Sequence, residues 1–217
     1  MTRAAVIRAA GLILAMAATP VLAQDYKPED VPHGKPDYHL SKAGDYRLDP
    51  YHTAVVARVL HLGFSYSLFR FDDVSGSLTW NPDDPAQNRL TAEVKVASIT
   101  TPVPGFADSL AGPDYLGAGA NPVARFVSDS FSVESDSKGT VSGQLTLMGQ
   151  THPATFQVDL IGAGQGYTGD DKGNPVIRDL IGVHAVTEID PQSYGMNGFF
   201  TAPIPISIDA EFARSAP

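Results

Sequence analysis

The chain contains no cysteine in 217 residues. That excludes disulfides, cysteine-ligated zinc and thiol catalysis, so its fold must be held by its core alone. It also lacks any excess of positive charge: 24 Asp and Glu stand against 15 Lys and Arg, for a net charge of −9. An acidic balance argues against a nucleic-acid partner and against electrostatic docking on anionic lipid. Beyond residue 23 no stretch approaches the ~18 consecutive apolar residues of a membrane-spanning helix. No serine sits in a GxSxG context, and no HxxxH pair marks a metal-binding helix.

What is present begins with an export signature. Arg3 and Arg8 give a positive start, and Ala9 to Ala18 is apolar apart from Gly11. Val21, Leu22 and Ala23 then supply small residues before Gln24. This reads as a secretory signal peptide cleaved after Ala23. Removing it leaves 194 residues, enough for one domain with a real core, and moves the net charge to −11 because Arg3 and Arg8 go with it. The expectation is a periplasmic or secreted bacterial protein. Residues 24–45 are polar and punctuated by Pro28, Pro32 and Pro36, which suggests a lead-in arm before a domain at 46–213.

From Tyr46 onward the period is two. Thr53, Val55, Ala57, Val59 and His61 alternate with Ala54, Val56, Arg58 and Leu60, as in a β-strand. Leu62-Gly63 breaks the run, and a second strand, Phe64 to Phe71, continues towards Trp80. Strand three is Leu90 to Ser98, strand four about Ala124 to Glu134, and strand five follows a Lys138-Gly139 turn. After a turn at 149–152, strand six places Ala154, Phe156, Val158 and Leu160 on one face. A Gly- and Asp-rich loop is expected over 162–174. Strand seven is about Leu180 to Ile189, and strand eight carries Ile204, Ile206, Ile208, Ala210 and Phe212 on one face. Residues 104–120 break the pattern and suggest one short helix between strands three and four.

Eight evenly spaced strands without a βαβ unit indicate an all-β antiparallel fold. Such a sheet can close into a barrel with room for one small ligand, while on pattern alone a sandwich stays open. Small inward positions, among them Ala57, Ala92, Gly143, Ala154 and Ala185, would leave space in a barrel. His61 is polar on an otherwise apolar face. It is either satisfied by a backbone carbonyl at the turn or a hydrogen-bond donor at a cavity mouth. His52 has the same two readings, with capping favoured. Nothing in the sequence brings His52, His61, His152 and His184 together, so no metal site is expected.

Asp49-x-x-His52, Val55, Val59, His61-Leu62-Gly63, Ser65, Phe71 and Ser75-Gly76 together resemble the opening of the YceI-like, polyisoprenoid-binding, lipocalin-like family. Ala97 to Thr101, Asp114-Tyr115-Leu116, Pro122, Phe126, the run Gly143 to Gly149 with Thr151, and Tyr194-Gly195-Met196 resemble its later motifs in order. The resemblance spans about 46–212. Three positions depart from it. Ala57 replaces a usual Phe, Ser67-Leu68-Phe69 replaces a Val-x-Gly pattern, and Pro191 replaces an Arg.

The resemblance implies an eight-stranded lipocalin-like β-barrel that holds an isoprenoid lipid or isoprenoid quinone, with no catalysis and no cofactor. The lumen candidates are then His61, His52, Val55, Ala57, Val59, Phe71, Val94, Leu145, Phe156 and Phe126. Each buried CH2 is worth about 0.8 kcal/mol, so one isoprene unit gives roughly 3–4 kcal/mol gross. A bilayer is equally apolar, which suits a carrier or buffer that exchanges lipid through transient membrane contact. Arg58, Arg70 and Lys95 fall on the parity opposite the apolar face. A neutral headgroup such as a quinone is therefore expected, unless loop residues such as Lys172 and Arg178 reach the mouth. A homodimer is compatible with this reading. Two other classes stay open: an interaction module with a filled barrel, and a His-dependent enzyme on a small hydrophobic substrate.

Overall fold

The alternating runs become strands. A computed structural model describes residues 31–170 and 172–215. In chain order these hold β1 (Gly44–Leu48), β2 (Ala54–His61), β3 (Ser65–Phe71), β4 (Val74–Trp80), β5 (Arg89–Lys95) and β6 (Ile99–Thr100). A short helix α1 (Phe106–Ala111) follows, then β7 (Val123–Ser135), β8 (Lys138–Leu147), β9 (Gln150–Gly169), β10 (Pro175–Ile189) and β11 (Ile204–Arg214). The first six strands are three interrupted staves, β1–β2, β3–β4 and β5–β6. With β7 to β11 they make a closed antiparallel barrel of eight. Both β1 and β2 pair with β11, which shuts the sheet and rules out the sandwich.

The three interruptions lie side by side and crease the barrel. In the first stave Pro50 has no N–H to give a ladder. Asp49 caps the break, its carboxylate accepting from Tyr51 N–H at 2.8 Å and its carbonyl from Thr53 Oγ1 at 2.7 Å. In the neighbouring staves Asp72 N–H donates to Ser98 O and Lys95 N–H to Asp73 O, so the creases are tied across. Beyond the crease the β2–β3 hairpin outruns its neighbours. β11 follows β2 only to Ala57, and β6 follows β3 only at Arg70 and Phe71. The turn at its tip puts both Leu62 (φ 51°) and Gly63 (φ 79°) in the left-handed region, closed by Phe64 N–H to His61 O at 2.9 Å. A leucine there costs about 1 kcal/mol that glycine would not.

Two ends result. One gathers the β2–β3 turn, α1, the Met148-Gly149 turn and residues 190–203. The other gathers the β7–β8 turn, the β9–β10 turn and the part of the arm that is described. There Lys35 pairs with Ala163, Tyr38 N–H reaches Asp136 O at 3.0 Å, and Trp80 Nε1 donates to Ser41 Oγ at 2.7 Å. The arm therefore lies across this end from Lys35 on.

Three local expectations are corrected. Residues 162–169 are not a loop: β9 runs through Gly169, because β10 supplies its ladder partners from Pro175 onward and Gly162 packs against Gly34. The β7–β8 turn is Asp136-Ser137, with Lys138 and Gly139 already paired to β7. Met148 and Gly149 alone make the β8–β9 turn, with both at positive φ, so Gln150 to His152 belong to β9.

Candidate functional site

The inward faces of the eight staves enclose a cavity of about 330 Å³. That is at the lower end of the ~300–1,000 Å³ range typical of small-molecule pockets. Strand parity decides what lines it. Val55, Ala57 and Val59 come from β2, Phe71 from β3, Val94 from β5, Phe126 from β7, Leu145 from β8 and Phe156 from β9. The packing inside is aromatic in places, with the Phe126 and Phe156 rings edge to face at 5.0 Å. Leu110, Tyr115 and Leu116 close over one end, and Leu110 is buried against Phe69 and Ile99. At the other end hydroxyls gather, Ser132, Ser135, Ser137 and Thr140, with Tyr38 and Ser41 of the arm beside them. Periodicity gave no signal for Tyr38 and Ser41, which sit outside the alternating runs.

The two histidines are elsewhere. His61 keeps the inward parity of Val55 and Val59, but its strand has passed the rim before reaching it. The residue is exposed on the projecting hairpin opposite Ser65 and does not line the cavity. His61→Leu should therefore leave the affinity for prenylated ligands unchanged, with or without a polar headgroup; a titration showing selective loss for the headed ligand would contradict this placement. The small residue Gly143 also does not widen the lumen. A Cβ built on it would lie 2.2 Å from Val127 O and 2.7 Å from the Phe126 ring, so its space is already used.

His52 lies at the crease, outside the lumen. Its Nδ1 is 3.0 Å from Asp49 Oδ2 and 3.8 Å from Glu211 Oε1, and Thr168 Oγ1 donates to Asp49 Oδ2 at 2.9 Å. The three residues converge because Asp49 N–H donates to Glu211 O where β1 meets β11. They hold three potential metal-ligand atoms within 4.8 Å of one another. His52 thus bonds a carboxylate rather than a backbone carbonyl. Asp49 Oδ2 is already taken by His52 and Thr168, so a cation would have to displace those bonds.

This cluster makes stability pH-dependent. Its bond to Asp49 raises the His52 pKa, against a smaller effect of partial burial. Burial pushes the Glu211 carboxyl up; the charge of His52 opposes this and that of Asp49 adds to it. Burial would also raise Asp49, but hydrogen bonds from His52, Tyr51 N–H and Thr168 outweigh it and leave its pKa lowered. The stabilisation from charged His52 is thus complete below the ordinary imidazole value of about 6.5 and is lost as pH rises through the raised one. Glu211 acts in the same sense at lower pH, and Asp49 contributes stability that is lost only as pH falls through its lowered value. Melting temperatures from pH 5 to 9 should fall on the alkaline side in the wild type, and less steeply in His52→Ala. Parallel slopes would show that His52 does not carry the effect.

Basic groups avoid the lumen wall. Arg58, Arg70 and Lys95 are exposed, and Arg70 and Lys95 pair with Asp72 and Asp73. Arg178 donates to Arg214 O, and Lys172 is exposed. Among the described residues the one basic member of the lining is Lys138 at the hydroxyl-rich end, tied to Asp159 at 3.0 Å.

Comparison with known proteins gives concordant matches. A family model described as the YceI-like domain matches residues 46–212. A UPF0312 protein of Pseudomonas paraeruginosa is 31% identical over 142 residues, covering 63% of this chain and 74% of that protein. One from Pseudomonas putida is 28% identical over 158 residues, covering 72% and 78%. Among solved structures, Burkholderia cenocepacia BcnA superposes with a TM-score of 0.64 at 20% identity, covering 76% of this chain and 98% of that one. A polyisoprenoid binding domain from Saccharophagus degradans, implicated in plant cell wall breakdown, gives 0.57 at 12% identity, covering 80% and 100%. At these identities the structural likeness shows the fold.

Proposed function

The chain belongs to the YceI-like domain family, and from that premise we propose that it is a binding protein holding an isoprenoid lipid in its barrel lumen and exchanging it with membranes. The observation that carries the reading is the lumen wall. Every stave presents aliphatic or aromatic side chains to a void of about 330 Å³, and the arm and α1 lie at its two ends. The void distinguishes this barrel from one packed shut by its own side chains. The Saccharophagus degradans neighbour, described as polyisoprenoid binding, supports the choice of ligand class.

An apolar wall of this kind recognises a chain by burial, at about 0.8 kcal/mol per CH2, and most of its hydroxyls gather at one end, away from that chain. We therefore propose carriage rather than catalysis. The headgroup is neutral in this reading, a quinone or an alcohol, because a diphosphate would need converging Arg or Lys, and among the described residues the one lysine in the lining, Lys138, is already paired. The serine-rich end offers hydroxyls that suit such a headgroup. The export signature at 1–23 lies outside the described residues and supports placement in the periplasm or outside the cell.

Trp80 supplies the test, since it is the sole tryptophan and lines the lumen. Titrating the protein with a short-chain prenylquinone should quench its emission to a saturable, near-stoichiometric end point. A headless isoprenoid of equal length should compete. Unchanged emission together with no competition would overturn the proposal.

A further inference from the structure

The outer face of the projecting hairpin reverses the usual rule that the solvent side of a barrel strand is polar. On β2 and β3 it carries Leu60, Tyr66 and Leu68, with Arg58 level with Leu68 and Arg70 nearer the barrel, while the inner face above the rim shows His61, Ser65 and Ser67. The turn adds Leu62 at 62% and Phe64 at 86% exposure, and Tyr66 and Leu68 are about half exposed. No core explains these residues. Val103, Phe106 and Phe199 are also exposed at this end of the barrel.

The charges point to one occupant. The chain is acidic overall, yet from Pro50 to Phe71 it has no Asp or Glu and carries Arg58 and Arg70. Arg58 lies over the Tyr66 ring, 5.0 Å from its centroid. The hairpin is thus layered, with an apolar tip at Leu62 and Phe64 and a Tyr and Arg belt beneath it. Two residues of strand separate Phe64 from Tyr66, about 7 Å at the rise of a β-strand, and Arg58, two residues further down, reaches back over the Tyr66 ring. That matches the roughly 5–10 Å to which interfacial segments sink their apolar face, with aromatic and basic side chains at headgroup level.

We propose that the β2–β3 hairpin is a membrane-docking element that inserts Leu62 and Phe64 into the surface of a lipid bilayer, setting the α1 end of the barrel against it. This rests on the lipid-carrier reading, in which the lumen must meet the bilayer to load and unload. Net charge over the whole chain argues against electrostatic docking. The hairpin instead docks by apolar insertion, and its freedom from carboxylates removes the local repulsion that the acidic body would impose.

The experiment is flotation of the full chain with phosphatidylcholine vesicles containing a quarter phosphatidylglycerol, run beside the prenylquinone titration of Trp80. The wild type should float, and Leu62→Ser/Phe64→Ser should lose about tenfold or more of its vesicle partition while quenching and melting stay unchanged. Phe64→Trp should add an emission that shifts to the blue on vesicles. Normal quenching in a wild type that does not float would overturn docking and leave the carrier standing. Flotation without quenching would do the reverse. A double variant that floats like the wild type would overturn the assignment to the hairpin. So would a wild-type dimer that the double variant dissociates, since the tip would then be a contact between copies.

Discussion

Replacing Ala92 and Ala185 together by tryptophan abolishes isoprenoid binding and leaves the barrel folded. The two residues line the lumen from β5 and β10, staves on opposite sides of the closed sheet, so their side chains fill it from both walls. Both alanines border the cavity, so the indoles extend into it, which spares the protein much of the ~1–3 kcal/mol that overpacking a filled core costs. The ligand loses that same space. Excluding a single isoprene unit removes roughly 3–4 kcal/mol of gross burial, on the order of a few hundredfold in Kd. Ala57→Phe, which introduces the residue that the family resemblance would place there, should narrow the lumen more gently and weaken bulky ligands first. Quenching of Trp80 by a prenylquinone measures Ala57→Phe, uptake of the same ligand in native mass spectrometry measures the double variant, and thermal melting establishes the fold of each. Undiminished binding to the double variant would place the ligand outside the lumen.

Gly143→Ala destabilises the protein by about 3 kcal/mol or more. The methyl would meet Val127 O at 2.2 Å, Phe126 Cζ at 2.7 Å and Ser128 Cα at 2.8 Å. The ring can turn aside, but the carbonyl and Cα belong to the β7 backbone, which is already bulged between Ser128 and Ser130 as it pairs with β8. For a chain of this size the loss corresponds to a fall in melting temperature of roughly 6–12 °C. Gly119→Ala and Gly198→Ala are the controls, because a Cβ at either meets nothing within 4 Å, and both should melt near the wild type. Equal melting of all three would show that β7 yields where the packing says it cannot.

Strand parity was readable because every stave buries one face and leaves the other to solvent. Val94, Val141, Phe156, Ala185 and Ile206 all point where alternation puts them, and Val55, Ala57 and Val59 line the lumen with them. Parity names a face but not where a strand leaves the barrel. His61 therefore shares the face of Val59 without sharing its surroundings. Residues 162–169 hide their strand because glycines erase the alternation, and the ladder is dictated by β10. Asp49, His52 and Glu211 meet only because closure sets β1 beside β11, a contact across most of the chain that no local pattern encodes. Gly143 looked like empty space; its role depends on a backbone bulge in the neighbouring strand.

The most direct test is native mass spectrometry of the protein purified without detergent from its own host, followed by organic extraction and identification of what is released. The account predicts a complex heavier than the bare chain by the mass of one neutral isoprenoid lipid, absent from the Ala92→Trp/Ala185→Trp variant. A bare wild-type chain that also fails to take up added prenylquinone or polyprenol would contradict it.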